Sequence, residues 1–207
     1  MKFIYLHGFA SGPGSQKARY FRDRFRENGI ELLVPDLAEG DFENLTLSRQ
    51  LAVVERTAAG EPSALIGSSM GGYVAALYAA RHKEVERAVL MAPAFGFGRR
   101  WPQALGPEKM EDWKRTGFLE FYHYGAQANR RLSYRLVEDA STYEDYPDVT
   151  QPALVFHGTH DEVVPTQFSR EFASNRPNVH LEELDSAHEL LNVLEPMWDQ
   201  ACPFLLK

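Results

Sequence analysis

The sequence predicts one α/β domain, a mostly parallel sheet with helices packed on both faces. Three observations point to it. Short apolar runs recur along the chain, segments of helical period lie between them, and the runs are continuous rather than alternating. Continuous apolarity suits a strand covered on both faces, as strand–helix–strand crossovers produce. The 207 residues match one domain with a sizeable core. A composition of 44% apolar and 25% charged residues is that of an ordinary globular chain.

Phe3–Leu6 reads as the first strand. Ser15 then caps a helix with Ala18, Phe21 and Phe25 on one face and Gly29 just past its end. Leu32–Val34 is the second strand. Thr46 caps a helix whose apolar positions Leu47, Leu51, Val54 and Ala58 follow helical spacing. Ala64–Ile66 leads into a third helix, Met70 to about Arg81, rich in Ala, Leu and Tyr. Ala88–Met91, Ala153–Phe156 and Val179–Leu184 complete about six strands, and the alternation in the last suits a sheet edge. Between Phe95 and about Asp148 no strand is evident, yet the stretch is too long for a simple loop. With helical pieces at Pro107–Arg115 and Ala126–Glu138, residues 95–148 read as an inserted helical cap over the strand ends. No internal repeat or low-complexity tract interrupts the chain.

The net charge of −7, from 22 basic and 29 acidic residues, argues against non-specific nucleic-acid binding. Cys202 is the only cysteine, which excludes an intramolecular disulfide and fits a reducing compartment. Met1–Leu6 lacks the features of a cleavable signal peptide, and no apolar run approaches the roughly 18 residues that span a bilayer. The expectation is a soluble cytoplasmic protein with neither membrane nor nucleic acid as partner. Its oligomeric state is left open.

Gly67-Ser68-Ser69-Met70-Gly71 matches G-x-S-x-G, the pattern of a serine raised on a sharp strand-to-helix turn. Glycines two before and two after the serine let strand and helix approach closely. The helix N-terminus then offers N–H groups and a positive dipole end to a developing oxyanion. The pattern alone arises by chance in roughly one in fifteen chains of this length. Its context, a buried strand before it and an Ala-rich helix after it, is far more selective than the bland alternative of a tight glycine turn. Ser68 competes as nucleophile, but its flanking positions are Ile66 and Met70, where glycine is wanted.

Where a serine stands on such a turn, the acid and then the histidine follow in chain order. Of the later histidines (82, 123, 157, 160, 180 and 188), His188 lies immediately past the last strand, in Asp185-Ser186-Ala187-His188-Glu189. Ligands of α/β sheets bind beyond the carboxyl ends of the strands, so His188 is the candidate general base rather than a plain surface histidine. The loop after the preceding strand, His157-Gly158-Thr159-His160-Asp161-Glu162-Val163-Val164-Pro165, supplies Asp161 as the candidate acid. Glu162 and Asp185 are the alternatives, and His160 has no assigned role. After the first strand, Gly8 permits a close turn that makes the Phe9 N–H the candidate partner of the Met70 N–H in an oxyanion hole. His7 reads as a histidine that orders this loop by hydrogen bonding.

Leu6-His7-Gly8-Phe9, Gly67–Tyr73, His157–Pro165 and Ser186-Ala187-His188 together resemble the four signature regions of α/β-hydrolases. His7-Gly8-Phe9-Ala10-Ser11, with Ser15 and Lys17-Ala18, more narrowly resembles small bacterial YqiA-type esterases. The resemblance spans nearly everything except the 95–148 insert. It implies the α/β-hydrolase fold with strands in chain order 2-1-3-4-5-6. The family's usual sheet begins with an antiparallel hairpin, whereas here the oxyanion strand opens the chain, a minimal version of the fold.

The expected chemistry is two-step acyl transfer on Ser69, needing no metal or organic cofactor. A small-molecule ester is the expected substrate, short or aromatic in a modest pocket. The insert's aromatics, Trp101, Phe121 and Tyr124 foremost, are candidate substrate-binding residues, although most of its rings are expected to pack the cap onto the core. The same triad serves thioesterases, lactonases, C–C bond hydrolases and peptidases. A dehalogenase-like reaction is disfavoured because it uses Asp at the nucleophile position. A non-catalytic binding module of the same fold would predict a damaged triad, and none is visible.

Overall fold

The computed structural model describes residues 1–206. The chain begins with β1 (Lys2–Leu6), α1 (Gln16–Glu27) and the two-residue strand β2 (Leu32–Leu33). It continues through α2 (Leu47–Ala58), β3 (Ser63–Ser68), α3 (Met70–Ala79) and β4 (Val85–Met91). The insert holds α4 (Phe97–Leu105), α5 (Pro107–Thr116), β5 (Phe118–His123), β6 (Ala128–Ser133) and α6 (Arg135–Ala140). The remaining elements are β7 (Ala153–Gly158), α7 (Gln167–Ser174), β8 (Val179–Leu184) and α8 (Leu194–Leu205).

Six strands form one sheet in the order β2-β1-β3-β4-β7-β8, and each neighbouring pair is parallel. Counting sheet strands alone, this is the expected order 2-1-3-4-5-6. Among the described residues no antiparallel strand joins this sheet.

The sheet separates two apolar layers, which explains the continuous apolar runs. In β1, Phe3 and Tyr5 pack with α1 and α8, whereas Ile4 and Leu6 pack with α2, α3 and the insert. Ser15 caps α1 by accepting from the Ala18 N–H at 3.3 Å, and Thr46 caps α2 through the Arg49 N–H at 3.1 Å. All ten residues of α3 are buried, so this helix has no solvent face. In β8, partly buried and exposed residues mix as befits an edge.

The insert departs from the helical expectation in its second half. Residues 126–138 do not form a helix: β6 runs antiparallel to β5, and only α6 beyond it is helical. Packing explains the difference. Trp113 of α5 is fully buried and donates its Nε1–H to the Leu132 carbonyl at 2.9 Å, with the Phe121 ring 5.4 Å away. The hairpin covers that indole, and this tertiary demand overrides the helix propensity of Arg130, Arg131 and Leu132. Helix α4 is concealed in the sequence by Gly98 and Pro102. Gly98 is required by close packing, since a Cβ there would lie 2.5 Å from the Ala140 carbonyl oxygen. At its base the insert closes on itself: the Gly96 N–H donates to the Asp145 carbonyl at 3.1 Å, and Arg99 pairs with the Asp145 carboxylate at 2.8 Å.

Candidate active site

The β3–α3 turn is built by exclusion. A Cβ at Gly67 would fall 2.4 Å from the Gly71 carbonyl oxygen, and one at Gly71 would fall 2.2 Å from that of Leu6. Only glycines allow strand and helix to meet here. Between them Ser69 adopts φ 54° and ψ −118°, a conformation that costs a side-chain-bearing residue about 1–3 kcal/mol. Backbone bonds hold it there: the Ser69 N–H donates to the Met91 carbonyl at 2.8 Å, and its own carbonyl accepts from Tyr73 and Ala94 at 3.1 and 3.0 Å.

His188 Nε2 lies 3.0 Å from Ser69 Oγ, and its Nδ1 lies 2.7 Å from Asp161 Oδ2. With Nδ1–H donating to the carboxylate, the Nε2 lone pair faces the serine hydroxyl. Asp185 pairs instead with His160, at 2.9 Å on the surface, and Glu162 is exposed. Among the described residues Ser68 is hydrogen-bonded to no histidine. The loops carrying Asp161 and His188 are stitched together by Thr159 N–H to Leu184 O (2.9 Å) and His160 N–H to Ser186 O (3.0 Å). Gly158 permits that contact, since a Cβ there would come within 2.3 Å of the Ser186 carbonyl oxygen.

Sequence reasoning missed one participant. His157 is fully buried and its Nε2 lies 3.1 Å from Asp161 Oδ2 and 2.8 Å from the Val164 carbonyl, while its Nδ1 meets Ser169 Oγ at 2.7 Å. Asp161 Oδ1 accepts from the Val163 and Val164 N–H groups at 2.9 and 2.7 Å. Burial would raise this carboxyl, but donation from His157, His188 and Val164 outweighs it and holds the group well below the usual carboxylate range. The available signal was a histidine inside an apolar strand, which needs a polar partner, four residues before an aspartate.

The loop after β1 lies against Ser69, since a Cβ at Gly8 would approach that of Ser69 to 3.4 Å. His7 accepts from the Leu37 N–H at 3.1 Å through Nε2, and its Nδ1–H donates to the Gly8 carbonyl at 3.0 Å. Gly8 C=O and Phe9 N–H share one peptide plane, so this bond also fixes the direction of the Phe9 N–H. Among the described residues neither the Phe9 nor the Met70 N–H is engaged by a protein acceptor. No group of three or more His, Cys, Asp or Glu side chains among these residues is placed to hold a metal ion. Among the described residues no helix is long and apolar enough to cross a membrane.

The model of the uncharacterised protein family UPF0227 matches residues 2–205. The chain belongs to that family. No curated protein matches it. Among solved structures, a candidate hydrolase from Agrobacterium vitis S4 aligns with a TM-score of 0.84 at 23% identity, covering 99% of this chain and 87% of that one. Alpha/beta hydrolase domain-containing protein 10 from mouse aligns at 0.82 and 20% identity, covering 98% and 88%. Est1E from Butyrivibrio proteoclasticus, with ferulic acid bound, aligns at 0.72 and 23%, covering 99% and 89%. These likenesses establish the α/β-hydrolase fold for this UPF0227 member.

In the UPF0227 chain Ser69 and His188 open into a cleft of about 1480 Å³, whose walls include Lys17, Asp36, Tyr124 and Arg130. The cleft is larger than the modest pocket expected from the small chain, and its walls carry charged as well as aromatic side chains. Of the three candidate substrate-binding aromatics, Tyr124 lines it and is 72% exposed. Trp101 and Phe121 are half-buried and pack on Phe9 and Trp113, with centroids 5.3 to 5.5 Å apart.

Proposed function

We propose that this protein is a serine hydrolase acting on carboxylic esters through Ser69, His188 and Asp161. The observation that carries the reading is the hydrogen-bonded line from Ser69 Oγ through both nitrogens of His188 to the buried Asp161 carboxylate. His188 Nε2 takes the Ser69 proton as Oγ attacks the ester carbonyl, while Asp161 stabilises the imidazolium. The Phe9 and Met70 N–H groups receive the oxyanion. The tetrahedral adduct collapses, His188 returns the proton to the leaving alkoxide, and an acyl-Ser69 ester remains. A water, deprotonated by His188, then releases the acid and restores Ser69.

The size and polarity of the cleft favour esters with a polar portion alongside short or aromatic acyl groups. The ferulic acid bound to the similarly folded Est1E supports including aromatic esters. A small-molecule substrate and, on the single cysteine, a cytoplasmic setting complete the reading.

Labelling with a fluorophosphonate probe, together with turnover of p-nitrophenyl acetate and butyrate, tests it. Wild type is expected to label and turn over. Ser69→Ala is expected to lose labelling and at least about 10⁴-fold in kcat. A folded wild type that does neither would end the hydrolase reading, and labelling that survives in Ser69→Ala would move the nucleophile elsewhere.

A further inference from the structure

We propose that the insert serves the chemistry as well as the cleft: Trp101, Phe121 and the β5–β6 turn brace the loop that presents the Phe9 N–H to the oxyanion. The inference rests on the Ser69 reading above. It makes Trp101 and Phe121 positioning residues, a different role from the substrate contacts their aromatic character suggested.

The Phe9 ring is held on three sides. Trp101 and Phe121 meet it edge-on at 5.3 and 5.5 Å, and Phe42 meets it at 5.5 Å. Two of these three rings belong to the insert. The next residue, Ala10, is buried and sits in the left-handed region at φ 50°, which a residue with a Cβ resists without outside support. That support also comes from the insert, because the Ala10 carbonyl accepts from the Tyr124 N–H in the hairpin turn at 2.8 Å. The turn is itself anchored: His123 stacks edge-on to Phe42 at 4.8 Å, and its Nδ1 accepts from the Ala126 N–H at 3.1 Å.

His7 fixes the loop from the core side through the Gly8 carbonyl. The insert fixes it through separate contacts, on the Phe9 ring and the Ala10 carbonyl. An oxyanion donor acts only when pre-aimed at the position the charge will occupy, so loosening one of two anchors weakens transition-state binding and spares the ground state.

The test compares Phe121→Ala and Trp101→Ala with wild type on p-nitrophenyl acetate, butyrate and benzoate, and on a trifluoromethyl ketone that forms a tetrahedral adduct on serine. The proposal expects kcat to fall by about 10–100-fold and by a similar factor for every ester, with KM within about twofold. Affinity for the ketone should fall by the same factor. Phe121→Leu and Trp101→Phe keep apolar contact on Phe9 should the alanine variants fail to fold, and are expected to give an intermediate loss of kcat. A change in KM that depends on the acyl group, with kcat preserved, would make these rings pocket walls and overturn the proposal. Folded variants with unaltered kcat and ketone affinity would overturn it too. Turnover that persists in Ser69→Ala would instead defeat the underlying reading.

Discussion

Ser69 pays for its prominence with a backbone conformation that glycine accepts and other residues resist. Ser69→Gly is expected to be inactive yet about 1 kcal/mol more stable than Ser69→Ala, which keeps the strain. In a domain of this size that is roughly 2–4 °C in Tm, readable by thermal melts of the two variants. Lys17 is a second residue under tension. Its Nζ donates to the Glu189 carbonyl at 2.7 Å, beside His188, and burial pushes the ammonium down from 10.5 to about 8 against the pull of Glu189 and Asp161. Between those two values the native chain binds fewer protons than the unfolded one, so stability rises with pH across the window. Below it, lysine is charged in both states and this group adds no further pH dependence. Urea unfolding at about pH 7 and about pH 10 is expected to show this rise in wild type and to lack it in Lys17→Met.

At the scale of elements, Trp113 is to the insert what α3 is to the core. Trp113→Ala is expected to cost about 3–5 kcal/mol and to speed hydrogen exchange at β5 and β6 amides ahead of those in β3 and β4. Uniform acceleration throughout the chain would show that insert and core open as one unit. The same residue marks where the sequence stopped being legible. The sheet strands were readable because the inner ones are sandwiched between helices, which leaves a continuous apolar run, and β8 at the edge leaves an alternating one. The hairpin was not, because Arg130 and Arg131 have the propensity of a helix and adopt a strand only to cover an indole distant in sequence. Helix α4 carries Gly98 and Pro102, and both read locally as breakers. The meeting of the candidate residues was legible for the opposite reason: Ser69, Asp161 and His188 each follow a strand end, and the strand order brings them to one edge. His157 escaped because its partner is tertiary, and the character of the cleft escaped because it depends on where the insert's rings turn.

Over the whole molecule, the Ser69–His188 bond joins residues 119 apart in sequence, and the His188–Asp161 bond joins residues 27 apart. The constellation therefore exists only when β3, β7 and β8 occupy one sheet. Loss of fluorophosphonate labelling in urea is expected to coincide with loss of far-UV circular dichroism, and labelling lost well before the helical signal would contradict this. The closure of the insert at its base carries a separate consequence. Because Gly96 and Asp145 meet, the chain leaves and re-enters the core at nearly one point, and the distance from β4 to β7 does not depend on what lies between. Residues 97–144 thus form a cassette that relatives of this fold could exchange by recombination without stretching the sheet. On the bracing role proposed for the insert, a graft would keep the Phe9 loop in place only if the incoming segment brought its own grip on Phe9 and Ala10.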